Sequence, residues 1–318
     1  MISFIVIGKN EDWRLEKSLS AIKRVAASEL IQPYEIIYVD SQSTDGSVEL
    51  AKQYANKIYL STGACNAAIG RNIGAKEAEG DIFFFIDGDM ELREGVLPTI
   101  LTHEGRLKYP FMAGIEYDIL FDNDWNQKEE RPRRSFIKGS DKVEKSPSMG
   151  GLFVITKQAW EDIGGMDNRY TVGEDYEFGF RAYGKGYKVR RIGQLWVNHY
   201  TRYYAIRPTS LSVYRFQALL SRNYFLKGYA FKTHLYWNYS GYLFVFSLLF
   251  SFWGNNAWLM LPYLLLLGYR TFRVLNRTQA KLKWLDVLCK RFVKDLLLIY
   301  YFCTFSPKQP SVSYTRVK

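Results

Sequence analysis

Cysteine and histidine are scarce, three of each in 318 residues. Cys65, Cys289 and Cys303 form no Cys-x-x-Cys pair and sit beside no histidine grid, which argues against a zinc site or a disulfide framework and for a reducing compartment. The opening MISFIVIGKNEDW has no basic segment ahead of a long apolar run, so it reads as a first β-strand rather than a secretory leader. No Gly-x-Gly-x-x-Gly follows that strand, against a dinucleotide-binding dehydrogenase, and no glycine- and arginine-rich loop, against a sugar-phosphate nucleotidyltransferase. Internal repeats and low-complexity tracts are also missing. What is abundant is apolar: 47% hydrophobic and 17% aromatic residues exclude wholesale disorder, and the length suffices for one large domain or two smaller ones.

Charge is distributed unevenly. Beyond Tyr200, 17 lysines and arginines face two acids, Asp286 and Asp295, a net +15, whereas the first 200 residues carry 26 against 30, a net −4. Two regions with different partners follow. A basic half can meet nucleic acid, but its apolar content fits an anionic membrane surface better, and no nucleic-acid partner is expected.

The first half alternates apolar runs with amphipathic segments. ISFIVIG, YEIIYVD, KIYL and DIFFFID read as strands. EDWRLEKSLSAIKRVAAS has helical spacing through Trp13, Leu15, Leu19, Ile22 and Val25, SQSTDGSVELAKQYA turns helical after a cap at Thr44 or Asp45, and NAAIGRNIGAKEAEG is helical up to Gly80. Strands apolar on both faces, alternating with helices, predict a mostly parallel sheet flanked by helices. In such sheets ligands gather at the carboxyl ends of the strands, where Asp40, Asp87 and Asp89 fall. FDNDWNQKEERPRRSFIKGSDKVEKSPS, residues 121–148, reads as a long mobile loop.

From His234 to Tyr269 no side chain is fully charged, and basic residues flank both sides. Each apolar arm is short for a bilayer, which needs about 20 residues per helix. Basic flanks on both sides favour a hairpin with its tip at residues 254–256, or a re-entrant or interfacial element, over a single crossing. A buried helical pair in a soluble domain is the plainer alternative.

FFFIDGDME ends a core strand on two carboxylates. Asp-Gly-Asp is most often a plain turn, but at the end of a buried strand, with other acids at neighbouring strand ends, it can hold a hard divalent cation. The pieces SFIVIGKNE, YEIIYVDSQSTDGS, GRNIGAKEAEGDIFFFIDGDM, MGGLFVITKQAWEDIGGMDNRY, GEDYEFGFRAYGKGYKV and VNHY, in this order over about residues 1–205, resemble glycosyltransferase family 2, inverting enzymes of the GT-A fold that use nucleotide sugars.

The resemblance implies an α/β GT-A domain over residues 1–205, Rossmann-like; the apolar run with its basic flanks makes residues 206–318 a helical, membrane-associated region with a membrane hairpin or re-entrant element at 235–269. It implies that Asn10 and Glu11 lie near the nucleotide base and ribose, and that Asp40 hydrogen-bonds the base or ribose, where a turn or cap role is the plain reading. Arg71, beside Asn72, would reach the donor diphosphate, and Asp87 would orient the ribose and hold the arginine; a solvated helix face is the plain reading of Arg71. Asp89 would ligate Mg²⁺ or Mn²⁺. Gly150 and Gly151 would form a small-residue wall beside the donor sugar, or simply a tight turn. Asp175 would be the general base and Glu174 an acceptor-binding or helix-capping acid, with Arg181 pairing these acids. His199 would lie near the metal or serve as a structural histidine. Trp160 and Trp196 read as packing residues. The QxxRW motif of processive members is missing, which points to transfer of one or few sugars. The implied partners are a nucleoside-diphosphate sugar, a lipid-linked or cell-surface glycan acceptor and a membrane, with the catalytic domain facing the cytoplasm. A catalytically degenerate membrane scaffold is the rival reading.

Overall fold

The computed structural model describes residues 1–29, 33–133, 142–143, 149–203, 210–224, 227–277 and 283–318. The chain divides into two compact units, one of Met1–Tyr203 with Gln309–Lys318 and one of Tyr204–Lys308.

In the first unit the alternation foreseen from sequence forms β1 (Ile2–Gly8), α1 (Trp13–Ser28), β2 (Tyr34–Asp40), α2 (Ser47–Tyr54), β3 (Lys57–Ser61), α3 (Ala67–Glu77) and β4 (Ile82–Asp87). β3, β2, β1 and β4 are neighbours in that order and all parallel. Their side chains are buried on both faces: Phe83, Phe84, Phe85 and Ile86 of β4 are at most 1% exposed. Each such side chain contributes about 1.5–3 kcal/mol, so the apolar run sets where the strand lies and carries Asp87 to its carboxyl end. Leu15, Leu19, Ile22 and Val25 of α1 pack against one face. α3, capped by the Asn66 side chain on the Ile69 N–H at 2.9 Å, packs against the other.

Beyond β4 the sheet becomes mixed. β5 (Met90–Leu92), α4 (Leu97–Ile100), β6 (Phe111–Phe121), β7 (Gln127–Pro132), β8 (Lys142–Val143), β9 (Phe153–Thr156), α5 (Lys157–Ile163), α6 (Glu174–Gly184) and β10 (Arg190–Arg202) complete the body. β9 is antiparallel to β4 and β6, β10 is parallel to β6, and β5 is antiparallel to β10. Residues 127–132, expected as part of a long loop, instead form a strand antiparallel to β6, where a polar sequence is tolerated because its side chains are largely exposed. The rest of that loop, 134–141 and 144–148, lies outside the described residues. At the far edge β11 (Tyr314–Arg316) pairs antiparallel with β3, and Ser313 bonds to the 62–64 loop through its backbone oxygen, which accepts from Thr62 N–H at 2.8 Å. The returning segment thereby covers a strand edge that would otherwise be open to pairing with another chain. Trp196 is fully buried and Trp160 nearly so, stacked against Phe85 and Phe178, which bears out their reading as packing residues.

The second unit contains α7 (Leu211–Tyr224), α8 (Gly228–Trp253), a 3₁₀ turn (Ala257–Met260), α9 (Leu261–Arg277) and α10 (Trp284–Thr304). α8 and α9 flank a turn at the tip position expected from sequence. Among the described residues no helix is long and apolar enough to cross a membrane.

Gly114 in β6 faces the Trp196 indole; a Cβ there would lie 2.1 Å from the ring. Gly114→Ala should therefore cost about 1–3 kcal/mol through overpacking, read as a lowered urea midpoint. A wild-type midpoint would refute this account of the β6–β10 contact.

Candidate active site

The acidic motifs, distant in sequence, converge at the carboxyl ends of the parallel strands. Arg71, on α3 and only 2% exposed, joins them: Nη2 donates to Asp87 Oδ1 at 2.7 Å and Nη1 to Glu174 Oε1 at 3.0 Å. Burial works against the guanidinium charge, but the two carboxylates outweigh it and hold the arginine firmly protonated. Burial pushes the Glu174 carboxyl above its usual range, Arg71 pulling it down and Asp175 adding to the rise. With one N–H of each terminal nitrogen so engaged, Arg71 bridges the two acids, and its Nε–H has no partner among the described residues. Asn72 is likewise inward, its amide clasping Met166 and Asn168 at 2.7–2.8 Å.

Gly173, at φ 76°, turns the chain into α6 and places Glu174 and Asp175 in its first turn, where the helix dipole favours negative charge. Asp175 Oδ2 accepts from the Gly150 N–H at 3.1 Å. Gly150 has φ 72°, and a Cβ on Gly151 would lie 1.9 Å from Asp87 Oδ2. Only glycine at 151 lets the backbone lie so close to Asp87. Gly150, Gly151, Arg71, Asp87, Glu174 and Asp175 thus form one cluster. Arg181, expected to pair the Glu174–Asp175 acids, forms a two-pronged ion pair with Glu177 one turn away, at 2.7 Å on both prongs, and donates to the Ile163 carbonyl.

Asp89 follows two residues later and meets His199. Strand register explains why: β5 sets Met90 opposite His199, and β6 sets Asp118 beside it. Asp89 Oδ2 lies 3.3 Å from His199 Nε2, and Asp118 Oδ1 lies 2.7 Å from Nδ1. Glu116 Oε2 is 3.9 Å from the same Nδ1, and Arg133 pairs with both Glu116 and Asp118. Burial alone would lower the imidazole pKa, but Asp118 and Asp89 dominate and push it up to about 9. Burial likewise opposes ionisation of Asp89, yet His199 and Arg14 hold its carboxyl below the usual range. Glu116, Asp118 and His199 form a buried group whose ligand atoms lie within 4.8 Å of one another. Carboxylate oxygens with one imidazole are a suitable donor set for Mn²⁺ or Mg²⁺. Arg133 already pairs with Glu116 and Asp118, and Asp118 orients the His199 ring.

The nucleotide side is built around β2. Asp40, 1% exposed, accepts from Tyr38 OH at 2.9 Å and from Ser43 N–H at 2.7 Å. Asn10, at φ 56°, accepts from Thr44 N–H at 2.8 Å, and its own N–H donates to Ser43 Oγ at 2.9 Å. Both therefore shape the 41–46 loop. Glu11, expected beside base and ribose, instead turns toward Asp89. A Cβ on Gly8 or Gly88 would come within 2.9 Å of its Cγ. Burial, with Asp89 adding, pushes Glu11 up to about 7 against the pull of Arg14.

Sequence reasoning missed Arg14, Glu116, Asp118 and Trp125. Arg14 Nη1 lies 3.7 Å from Asp89, and its guanidinium lies 4.8 Å from the Trp125 ring centroid. Glu116 and Asp118 sit two apart in GIEYDIL, both buried although charged; two acids on one face of an apolar strand were the available signal.

Acids gathered at the carboxyl ends of a parallel sheet define an α/β protein of the kind that handles nucleotide-linked ligands. The model described as glycosyl transferase family 2 matches residues 3–164, just over half the chain, and that of glycosyl transferase family group 2 matches residues 139–270. The chain belongs to glycosyl transferase family 2. It is 30% identical over 128 residues to 4,4'-diaponeurosporenoate glycosyltransferase of Staphylococcus haemolyticus, covering 38% of this chain and 33% of that protein. The crystal structure of residues 1–349 of S. aureus TarS superposes with a TM-score of 0.54 at 16% identity, over 95% of this chain and 88% of that one. GalNAc-T7 with UDP, GalNAc and Mn²⁺ also gives 0.54 at 16%, over 72% of this chain and 48% of that one. Both structural likenesses speak to the fold alone. The chain spans about a third to two fifths of the length of several curated relatives.

Two outcomes follow. Arg71→Met strands two carboxylates and should cost about 3–5 kcal/mol in urea unfolding; a near-neutral change would contradict the bridge. In the metal-free protein the His199 imidazole should titrate near about 9, and Asp118→Asn should lower it, as followed by NMR. Because this folded-state pKa is raised above the ordinary 6.5, the linked stability is complete below 6.5 and is lost as pH rises through about 9. An imidazole titrating at its ordinary value would refute the assignment.

Proposed function

We propose that the protein is a metal-dependent, inverting glycosyltransferase that moves a sugar from a nucleoside-diphosphate sugar to a hydroxyl of a lipid-linked or cell-surface glycan acceptor. The observation that carries this reading is the Arg71 bridge, which holds the Asp-Gly-Asp turn and the Glu174–Asp175 pair together. Asp40 and Asn10, with the loop they hold, bind the base and ribose. Asp87 orients the donor, and the Gly150–Gly151 backbone, lacking side chains, leaves room for the donor sugar. Asp89 and His199 hold Mg²⁺ or Mn²⁺. When bound, the ion supplies positive charge that offsets the charge developing on the leaving diphosphate.

Asp175 takes the proton from the acceptor hydroxyl as its oxygen bonds to the anomeric carbon. The bond from that carbon to the diphosphate oxygen breaks on the opposite face, so configuration inverts. Glu174, held by Arg71, fixes the first turn of α6 and with it the position of Asp175. The S. haemolyticus relative is named for glycosyl transfer to a diaponeurosporenoate, which supports a lipophilic acceptor. Such an acceptor belongs at a membrane, with the catalytic unit on the cytoplasmic side where nucleotide sugars are available.

A thermal-shift screen with UDP-, GDP- and dTDP-sugars identifies the donor. With that donor, turnover should require Mn²⁺ or Mg²⁺ and be abolished by chelation. Asp175→Asn should lower turnover on the order of 10²–10⁴-fold while keeping the donor-induced shift. A wild-type rate in this variant rules out Asp175 as base, and the lack of a shift with any nucleotide sugar rules out the transferase reading.

A further inference from the structure

The helical unit buries a charge among its apolar side chains and leaves other apolar side chains exposed. Asp295 on α10 is fully buried: Oδ1 accepts from Ser240 Oγ at 2.8 Å, and Oδ2 accepts from Arg270 Nη1 at 2.8 Å and Tyr263 OH at 3.2 Å. Asn238 donates to Ser221 in the same interior at 2.8 Å. Around the α8–α9 turn much of the exposed surface is apolar. Phe252, Trp253 and Trp258, around the turn between α8 and α9, are 86%, 89% and 78% exposed. α9 turns Tyr263, Leu267, Arg270 and Thr271 inward at helical spacing, and a second apolar stripe, Leu261, Leu264, Leu265 and Phe272, outward. Packing within the unit uses the first stripe and not the second. A contiguous exposed apolar surface of this kind is unusual on a monomer in water.

Several features of the tip select a lipid surface as its occupant. Charge is complementary to anionic headgroups: beyond Tyr200 the chain carries a net +15, and Lys227, Arg273, Lys283 and Lys290 are exposed on the helical unit. No fully charged side chain falls between His234 and Tyr269. The exposed tryptophans have the amphipathic rings that settle at the headgroup level. The tip backbone also meets the condition for entering lipid, that its polar groups be satisfied within the chain. Gly254 N–H donates to the Phe250 carbonyl at 2.8 Å, Asn256 N–H to the Ser251 carbonyl at 3.1 Å, and Trp258 N–H to Asn256 Oδ1 at 3.0 Å. No helix among the described residues is long and apolar enough to cross a membrane, which fits an element that enters and leaves by the same face.

We propose that the tip between α8 and α9, residues 246–265, inserts into one leaflet of an anionic membrane without crossing it. This deepens the preceding reading, since it would place the unit at the surface that holds a lipid-linked acceptor. It is tested apart from that reading, because vesicle binding needs no sugar transfer.

The full chain is sedimented with vesicles of phosphatidylcholine alone and of phosphatidylcholine with phosphatidylglycerol. Binding is expected to the anionic vesicles and to weaken with salt. The double variant Trp253→Asp, Trp258→Asp should bind at least about tenfold more weakly while keeping its donor-induced thermal shift. Equal pelleting of wild type and variant overturns the proposal. If the variant fails to fold, Asn255→Cys in a background with Cys65, Cys289 and Cys303 changed to serine carries an environment-sensitive dye. A blue shift on anionic vesicles supports insertion, and unchanged emission overturns it. A wild type that is dimeric without detergent, becomes monomeric in the double variant and ignores vesicles would assign the face to a second copy of the chain and likewise overturn the proposal.

Discussion

The Arg71 bridge is the interaction on which the site depends. A guanidinium at 2% exposure is tolerable only when its charge is met, and two carboxylates from elements more than 80 residues apart meet it. One cation against two acids leaves the cluster with surplus acidic groups, where Gly151 presses its backbone onto Asp87. The same contact ties α3, the end of β4 and the first turn of α6 together. The proposed base Asp175, fastened to Gly150, takes its position from that arrangement.

A second constraint comes from the sheet. His199 lies between Asp118 on one strand neighbour and the Asp89 turn on the other, a consequence of pairing β10 parallel to β6 and antiparallel to β5. The packing of Trp196 over Gly114 sits on the same strands and fixes their spacing. A stability element and a proposed ligand set therefore share two strands, so strain in one is felt in the other. The helical unit has Asp295 and its partners inside and Trp253 and Trp258 exposed. The buried Asp295 is tolerated there because Ser240, Tyr263 and Arg270 all donate to it.

Much of this was legible in the residues. β1 and β2 fall where their apolar runs lie, because strand burial is a local property of sequence. α1 buries the side chains its spacing predicted, and Asp87, Asp89, Glu174 and Asp175 come to one end of the sheet. Other features depended on pairing between distant segments. Residues 127–132 looked like loop because nothing local reveals that β6 supplies a partner edge. Glu116 and Asp118 were hidden in an apolar stretch, and Glu11 turns toward Asp89 because Gly8 and Gly88 leave space there.

The amino-acid sequence by itself determined the parallel core, the acidic strand ends, the family and the contrast between a mildly acidic body and a basic, apolar remainder. These follow from composition and short-range periodicity, which a chain carries before it folds. Tertiary structure alone decided which charges meet: that Arg71 is a bridge, that Arg181 pairs with Glu177, that Asp118 holds the ring of His199, and that the apolar stretch at 235–269 forms helices around a turn with Trp253 and Trp258 exposed. Burial and ion pairing are properties of neighbours in space, and strand register and helix packing choose those neighbours.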